Sequence, residues 1–108
     1  MYPPNKICER RADQRFPFPH LIHLHLLGPD GLTPTGERLV VVGKTLSERG
    51  LGFYHLQPLP YRRVLVSLES NDHRWLGFLF DVTWCRFTTY GWYDSGGRLV
   101  QVMPSPVG

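Results

Sequence analysis

Short segments in which apolar and polar residues alternate constrain this chain more than any other feature. The clearest segment is 18–27, where Ile22, Leu24 and Leu26 alternate with two histidines. A period of two is the side-chain repeat of a β-strand that buries one face. This segment is therefore predicted to be a strand with its histidines on the solvated outer face. Residues 62–69 repeat the pattern and predict another strand of the same kind.

Turn-forming residues separate these segments. Ten prolines and eleven glycines are spread over 108 residues, and a proline inside a helix costs about 3 kcal/mol, so long helices are not expected. The predicted strands are 18–27, 38–44, 51–56, 62–69, 74–87, and 91–93 with 98–103 on either side of the turn-like segment 94–97. Short strands joined by turns are typical of an all-β barrel or sandwich.

The chain is predicted to be one domain, because its length suits a single core. Residues 1–17 are polar, basic and bounded by prolines and predict an N-terminal arm; residues 18–103 carry the strands, and residues 104–108 are expected to form a disordered tail. The chain has neither an apolar leader segment nor an apolar run of membrane-spanning length. A cytoplasmic protein without membrane insertion is therefore expected.

The basic residues are mostly arginines. The net charge is only +3, and of twelve basic residues only Lys6 and Lys44 are lysines. The planar guanidinium of arginine binds phosphates bidentately and stacks on bases, which an ammonium does not do. This composition is compatible with recognition of phosphates or bases. Cys8 and Cys85 lack the number and spacing of a disulfide framework and are expected to be free thiols.

Two local motifs stand out, an arginine cluster in the arm and a serine–glycine turn after the second predicted strand. Together they resemble the PilZ domain family, which has an Arg-x-x-x-Arg motif in an N-terminal loop and an Asp/Asn-x-Ser-x-x-Gly motif after its second strand. Arg11 and Arg15 match the first motif, and Ser47 and Gly50 match the second. Thr45 departs from the pattern, since it stands where the family has Asp or Asn.

The resemblance extends over roughly residues 9–100, because 82–86 and 91–99 are similar to the late strands of the family. It implies a six-stranded antiparallel β-barrel (PilZ-like) with an N-terminal Arg-rich arm. It also implies a bacterial receptor for cyclic di-GMP, with no cofactor. Such a receptor signals to an effector protein when its arm changes conformation.

The arm residues implied as ligand contacts are Arg10, Arg11 and Arg15. An arginine pairs bidentately with the O6 and N7 acceptors of guanine, and this pairing contributes about 1–3 kcal/mol of discrimination. It also holds phosphates, so an arm that carries these residues can close over a bound ligand. In the family an arginine at the position of Arg10 accompanies an intercalated pair of ligands, so two ligands per chain are expected.

On the barrel, the implied contacts are Thr45, Ser47, Gly50 and Trp84. The hydroxyl of Ser47 can bond a base edge or ribose. Gly50 is expected to have a positive φ and to let the backbone approach the ligand closely. Trp84 has two readings that the sequence leaves open. Its place in an alternating segment fits the core, whereas a family residue near this position stacks on guanine, with about 1–3 kcal/mol from stacking.

No sequence motif supports catalysis or metal binding, so the chain is expected not to be an enzyme. Ser47 lacks the context of a nucleophile elbow, and no residue at ligand-like spacing completes a metal site with His23 and His25. Two alternatives remain. One is a PilZ-like adaptor that has lost nucleotide binding, as Thr45 suggests. The other is a single-stranded nucleic-acid-binding barrel, although a nucleic-acid partner is not the expected one.

Overall fold

A closed β-barrel forms the body of the protein. The computed structural model describes residues 14–59 and 61–107. Its strands are β1 (Phe16–Pro17), β2 (Leu21–Leu27), β3 (Pro34–Leu46), β4 (Gly50–His55), β5 (Arg63–Glu69), β6 (Trp75–Phe87) and β7 (Tyr93–Met103). Strands β2 to β7 close into a six-stranded antiparallel barrel in the order β2-β5-β6-β7-β4-β3, because β3 pairs with both β2 and β4. The all-β fold predicted from the alternation and the six-stranded antiparallel barrel implied by the resemblance are confirmed, and β1 is an additional strand.

The long strand β3 closes the barrel by changing partners along its length. Its first part pairs with β2 as far as Val42, and its last part, to Leu46, pairs with β4. A register shift between Gly43 and Thr45 leaves Lys44 as the extra residue of a β-bulge. Bulges bend a strand and increase its twist, which is what closure of a small barrel requires.

The core lies inside the barrel and includes Ile22 and Leu24, as the alternation in 18–27 predicts. Its buried members are Ile22, Leu24, Val41, Leu51, Phe53, Val64, Val66, Leu68 and Phe80. The valines that flank Val41 are about half exposed, because neighbouring side chains on a strand point to opposite faces. The described part of the chain has no helix long and apolar enough to cross a membrane.

The prediction of a solvated histidine face on β2 is wrong for His25. This side chain is only 5% exposed, and its Nε2 lies 2.9 Å from Ser67 Oγ on β5. Burial, with added repulsion from the positive charges of His23 and Arg38, lowers the pKa of His25. The outer wall is therefore partly covered by other residues at His25. Alternation within one strand does not show whether distant residues of the chain pack over its outer face.

The segment that covers this wall follows β7. Ser105 Oγ lies 2.8 Å from Ser67 Oγ, and Ser105 also hydrogen-bonds Val107. A Cβ on Gly77 would lie 2.6 Å from the carbonyl oxygen of Met103, so glycine is needed where this segment crosses β6. Residues 104–107, which the sequence predicts to be disordered, thus make specific contacts with the barrel wall.

The predicted interruption at 94–97 is also wrong. These residues lie inside β7 and pair with β4 on one side and β6 on the other. Asp94 and Ser95 are buried, and a Cβ on Gly97 would lie 1.9 Å from the carbonyl oxygen of Asp81. The Asp-Ser-Gly-Gly sequence therefore serves close approach between strands rather than a turn.

Candidate functional site

The short strand β1 brings the arm to the end of β3. Phe16 pairs with Leu46, and Pro17 pairs with Thr45. Arg15 immediately precedes β1 and is exposed, so its backbone lies where β3 enters the turn to β4. One of the two arginines of the predicted motif is thus close to the predicted turn motif. Arg10 and Arg11 lie outside the described residues.

Ser47 has a structural role in the turn between β3 and β4. Its backbone N–H donates to the carbonyl of Gly50 at 2.9 Å, and the N–H of Gly50 donates to Ser47 Oγ at 3.1 Å. The side chain is only 6% exposed. In this conformation its hydroxyl accepts a hydrogen bond within the turn, and its contact with a ligand stays a prediction.

Gly50 is required for a reason different from the predicted one. The positive φ angles of the described residues are at His73, Gly31, Gly36 and Gly91, and Gly50 is not among them. A Cβ on Gly50 would instead lie 2.9 Å from the carbonyl oxygen of Gly97 on β7. The missing side chain permits close approach of two strands, and the approach of a ligand at this position stays a prediction.

A flat row of residues crosses four strands of the outer wall beside this turn. Thr45 on β3 pairs with Gly52 on β4, Gly52 pairs with Gly96 on β7, and Gly96 pairs with Trp84 on β6. Thr45 Oγ1 lies 3.0 Å from where a Cβ of Gly52 would be. The backbone of the two glycines forms a floor, which we call the glycine floor, with the Thr45 hydroxyl against Gly52 and the Trp84 indole over Gly96.

Trp84 is a surface residue and not part of the core. It is 41% exposed, and its indole covers Gly96 so closely that a Cβ there would lie 2.7 Å from the ring. The ring is thus supported on one face by backbone. Of the two readings left open by the sequence, the structure excludes the core and leaves an exposed aromatic surface suited to stacking.

A second row, which the sequence did not reveal, adjoins the first. Asp94 on β7 is buried, with its carboxylate 3.0 Å from Lys44 Nζ and 3.0 Å from Arg86 Nη2. Lys44 Nζ also lies 5.5 Å from the ring centre of Tyr54 and 5.9 Å from that of Trp84, within cation–π range.

Only part of this second row could be predicted from the sequence. Trp84 and Arg86 are two residues apart on β6, so their common face follows from the strand period. The bulge that directs Lys44 to Asp94 is a property of the closed barrel and has no local sequence signal. We call the two rows together the cationic–aromatic face; its members are Lys44, Thr45, Gly52, Tyr54, Trp84, Arg86, Asp94 and Gly96.

An apolar groove borders this face along β3 and β4. It has a volume of about 330 Å³ and is lined by Leu39, Val40, Val41, Val42, Tyr54, His55, Leu56 and Gln57. This lining contains neither lysine nor arginine and does not suit a dianionic ligand. The cationic–aromatic face suits such a ligand better, since it offers a stacking surface, two cations and neighbouring Arg15.

Comparison with protein-family models, with curated proteins and with solved structures gives no match to this chain. The class of protein is therefore defined by the geometry of the fold and of the site alone. The chain is a small six-stranded antiparallel barrel with an extra strand, and an exposed tryptophan lies near a lysine on its outer wall.

Proposed function

We propose that this protein is a PilZ-like receptor for cyclic di-GMP in the bacterial cytoplasm and that it acts as an adaptor rather than as an enzyme. The single observation that carries the proposal is the pairing of β1 with the end of β3. This pairing brings Arg15, from one motif of the resemblance, next to Thr45 and the turn, from the other motif. Trp84 lies across the glycine floor on the same wall.

The chemistry of this site fits a cyclic dinucleotide. Such a ligand carries two phosphates and two guanines, and the site offers guanidinium groups, an ammonium group and an indole face. Arginine suits both the guanine edge and the phosphate, and an exposed tryptophan suits a purine ring. A ligand that contacts both the arm and the barrel then changes the surface available to an effector protein.

Thr45 sets the expected affinity. An aspartate would offer two charged oxygens to the N1–H and N2–H donors of guanine, whereas Thr45 offers one neutral hydroxyl. Loss of a charge-assisted bond costs about 1.5–3 kcal/mol, which is about a 10- to 150-fold loss of affinity. Wild-type binding is therefore expected to be weak but measurable.

Calorimetric titration of the wild type and of Thr45→Asp with cyclic di-GMP tests the proposal. We expect Thr45→Asp to bind about tenfold tighter or more, because a second, charged acceptor reaches the guanine edge. Thr35→Asp is the matched control, since Thr35 is an exposed threonine on the same strand, about 33 Å from Thr45 at about 3.3 Å per residue.

The other outcomes discriminate the alternatives. Unchanged or weaker binding by Thr45→Asp would mean that this side chain does not meet a base edge. No binding by the wild type with strong binding by the variant would identify an adaptor that has lost its ligand. Preference for single-stranded oligonucleotides, with affinity that falls steeply with salt, would identify a nucleic-acid-binding barrel.

A further inference from the structure

The carboxylate of Asp94 is buried in the barrel wall, and its partners among residues 14–59 and 61–107 are Lys44 and Arg86, which reach it from outside. Asp94 is 3% exposed, and a carboxylate out of water is unfavourable unless it is paired and hydrogen-bonded. Its oxygens lie 3.0 and 3.3 Å from Lys44 Nζ, and one of them lies 3.0 Å from Arg86 Nη2. Two positive charges and one negative charge leave the cluster with a net positive charge.

Both cations keep donors toward solvent. The Arg86 side chain is 70% exposed and that of Lys44 is 34% exposed, whereas the Asp94 side chain beneath them is 4% exposed. A guanidinium has five N–H donors and an ammonium has three, so the contacts to Asp94 use only some of them. An anion that approaches this wall meets the two cations before the carboxylate.

The indole of Trp84 covers Gly96, and the stem of Lys44 lies beside Gly52 on the same wall. Lys44 Nζ is 5.9 Å from its ring centre, and Arg86 follows two residues later on the same face of β6. A base that stacks on the Trp84 ring would lie near Lys44 Nζ, and Arg86 is the next side chain on that face of β6. Neither Lys44 nor Arg86 belongs to the two motifs of the resemblance.

We infer that Lys44 and Arg86 bind a phosphate of the cyclic dinucleotide stacked on Trp84, and that buried Asp94 is the positioning residue that holds both cations toward it. This inference rests on the proposed function and names its phosphate contacts. The Asp94 carboxylate fixes two long side chains before the ligand arrives, so less rotamer freedom is lost on binding.

The ion pair between Arg63 on β5 and Asp81 on β6 provides a matched control. Arg63 contacts both carboxylate oxygens of Asp81, at 2.7 and 2.9 Å. Its side chain is 44% exposed, and it uses two donors for this contact. Arg63→Met therefore removes an exposed arginine and a cross-strand ion pair but leaves the cations of the cationic–aromatic face in place.

The experiment is a titration of full-length Lys44→Met, Arg86→Met, Arg86→Lys and Arg63→Met with cyclic di-GMP at low and high salt. Lys44→Met and Arg86→Met should each weaken binding about tenfold or more. Arg86→Lys should recover part of the loss, since a point charge still meets a phosphate. Raising salt from about 0.05 to about 0.5 M should weaken wild-type binding more than binding by Arg86→Met.

Asp94→Asn tests the positioning role. It removes the negative charge of the carboxylate and so makes the net charge of the site more positive by one. Simple attraction would then tighten binding of an anion, whereas loss of the anchor for two cations should weaken it. Tighter binding would overturn the role of Asp94. Each variant is first compared with the wild type by thermal unfolding, and if Asp94→Asn does not fold, the Lys44 and Arg86 variants still decide the phosphate contacts.

Two failures are distinguishable. If the wild type binds cyclic di-GMP and the Lys44→Met and Arg86→Met variants bind it equally well, the phosphate contacts are wrong and the proposed function stands. Equal losses for Arg86→Met and Arg86→Lys, with unchanged salt dependence, would also overturn the inference. If the wild type does not bind cyclic di-GMP, the proposed function itself fails.

Discussion

Replacement of Arg15 by alanine is expected to weaken cyclic di-GMP binding by about 10- to 150-fold. Hydrogen bonds to charged groups contribute about 1.5–3 kcal/mol, and each 1.4 kcal/mol corresponds to about a tenfold change in affinity. Arg15 is exposed and directly precedes β1, so its removal would delete the proposed ligand contact without opening the core. Calorimetry with the folded variant measures the effect.

Two further variants make this result specific. Arg15→Lys should recover little affinity if the guanidinium pairs bidentately with guanine, since a lysine cannot supply two parallel donors. Arg38→Ala is the control, because Arg38 is an exposed arginine of β3 and lies about 23 Å along the strand from Thr45 at about 3.3 Å per residue. Wild-type affinity in folded Arg15→Ala would show that the arm motif does not bind the ligand.

Replacement of Gly97 by alanine is expected to destabilise the fold by about 3 kcal/mol or more, near the upper end of measured overpacking effects. A Cβ at this position would lie 1.9 Å from the carbonyl oxygen of Asp81, which is backbone and cannot rotate away. The barrel would have to separate β6 from β7 to accommodate it. The midpoint of urea unfolding measures the loss.

Gly28→Ala is the control for the glycine effect. A Cβ on Gly28 would lie 3.6 Å from the nearest backbone atom, which is ordinary contact. Its φ is not among the positive values, so we expect a change of less than about 1 kcal/mol. If Gly97→Ala unfolded at the same urea concentration as Gly28→Ala, the close pairing of β6 and β7 would be wrong.

The parts of the fold that follow from local pattern could be predicted from the sequence. The alternation around Ile22 and Leu24 correctly gives a strand with these residues in the core. The local pattern gave a wrong prediction where contacts with distant residues determine whether a side chain is buried. His25 is buried because Ser105 and its neighbours cover the outer wall, and nothing within β2 encodes that cover.

Glycine chemistry misled the prediction in a similar way. Asp-Ser-Gly-Gly is typical of a turn, yet in a barrel its small residues permit three strands to approach, and Gly96 also supports the ring of Trp84. Two adjacent glycines between apolar strand segments are compatible with either interpretation. The pairing of Gly97 with β4 and β6 shows that these glycines lie within a strand and not in a turn.

The candidate site was predictable in its residue types but not in its geometry. The motifs drew attention to the end of β3, where Pro17 pairs with Thr45 two residues after Arg15; a ligand site there stays a prediction. They did not indicate that Ser47 and Gly50 would be occupied with the turn and with strand packing. Lys44 and Asp94 meet only because a bulge and barrel closure bring residues fifty positions apart into contact.

The most direct measurement of the central claim is a map of amide and indole chemical-shift changes on addition of cyclic di-GMP to isotope-labelled protein. We expect the largest changes at Arg15, at Thr45, at Gly96 and at the indole N–H of Trp84, with little change on the opposite wall at Leu65. Saturable changes confined to these positions would support the cyclic di-GMP site. Changes centred on the wall around Leu65, or none at saturating ligand, would contradict it.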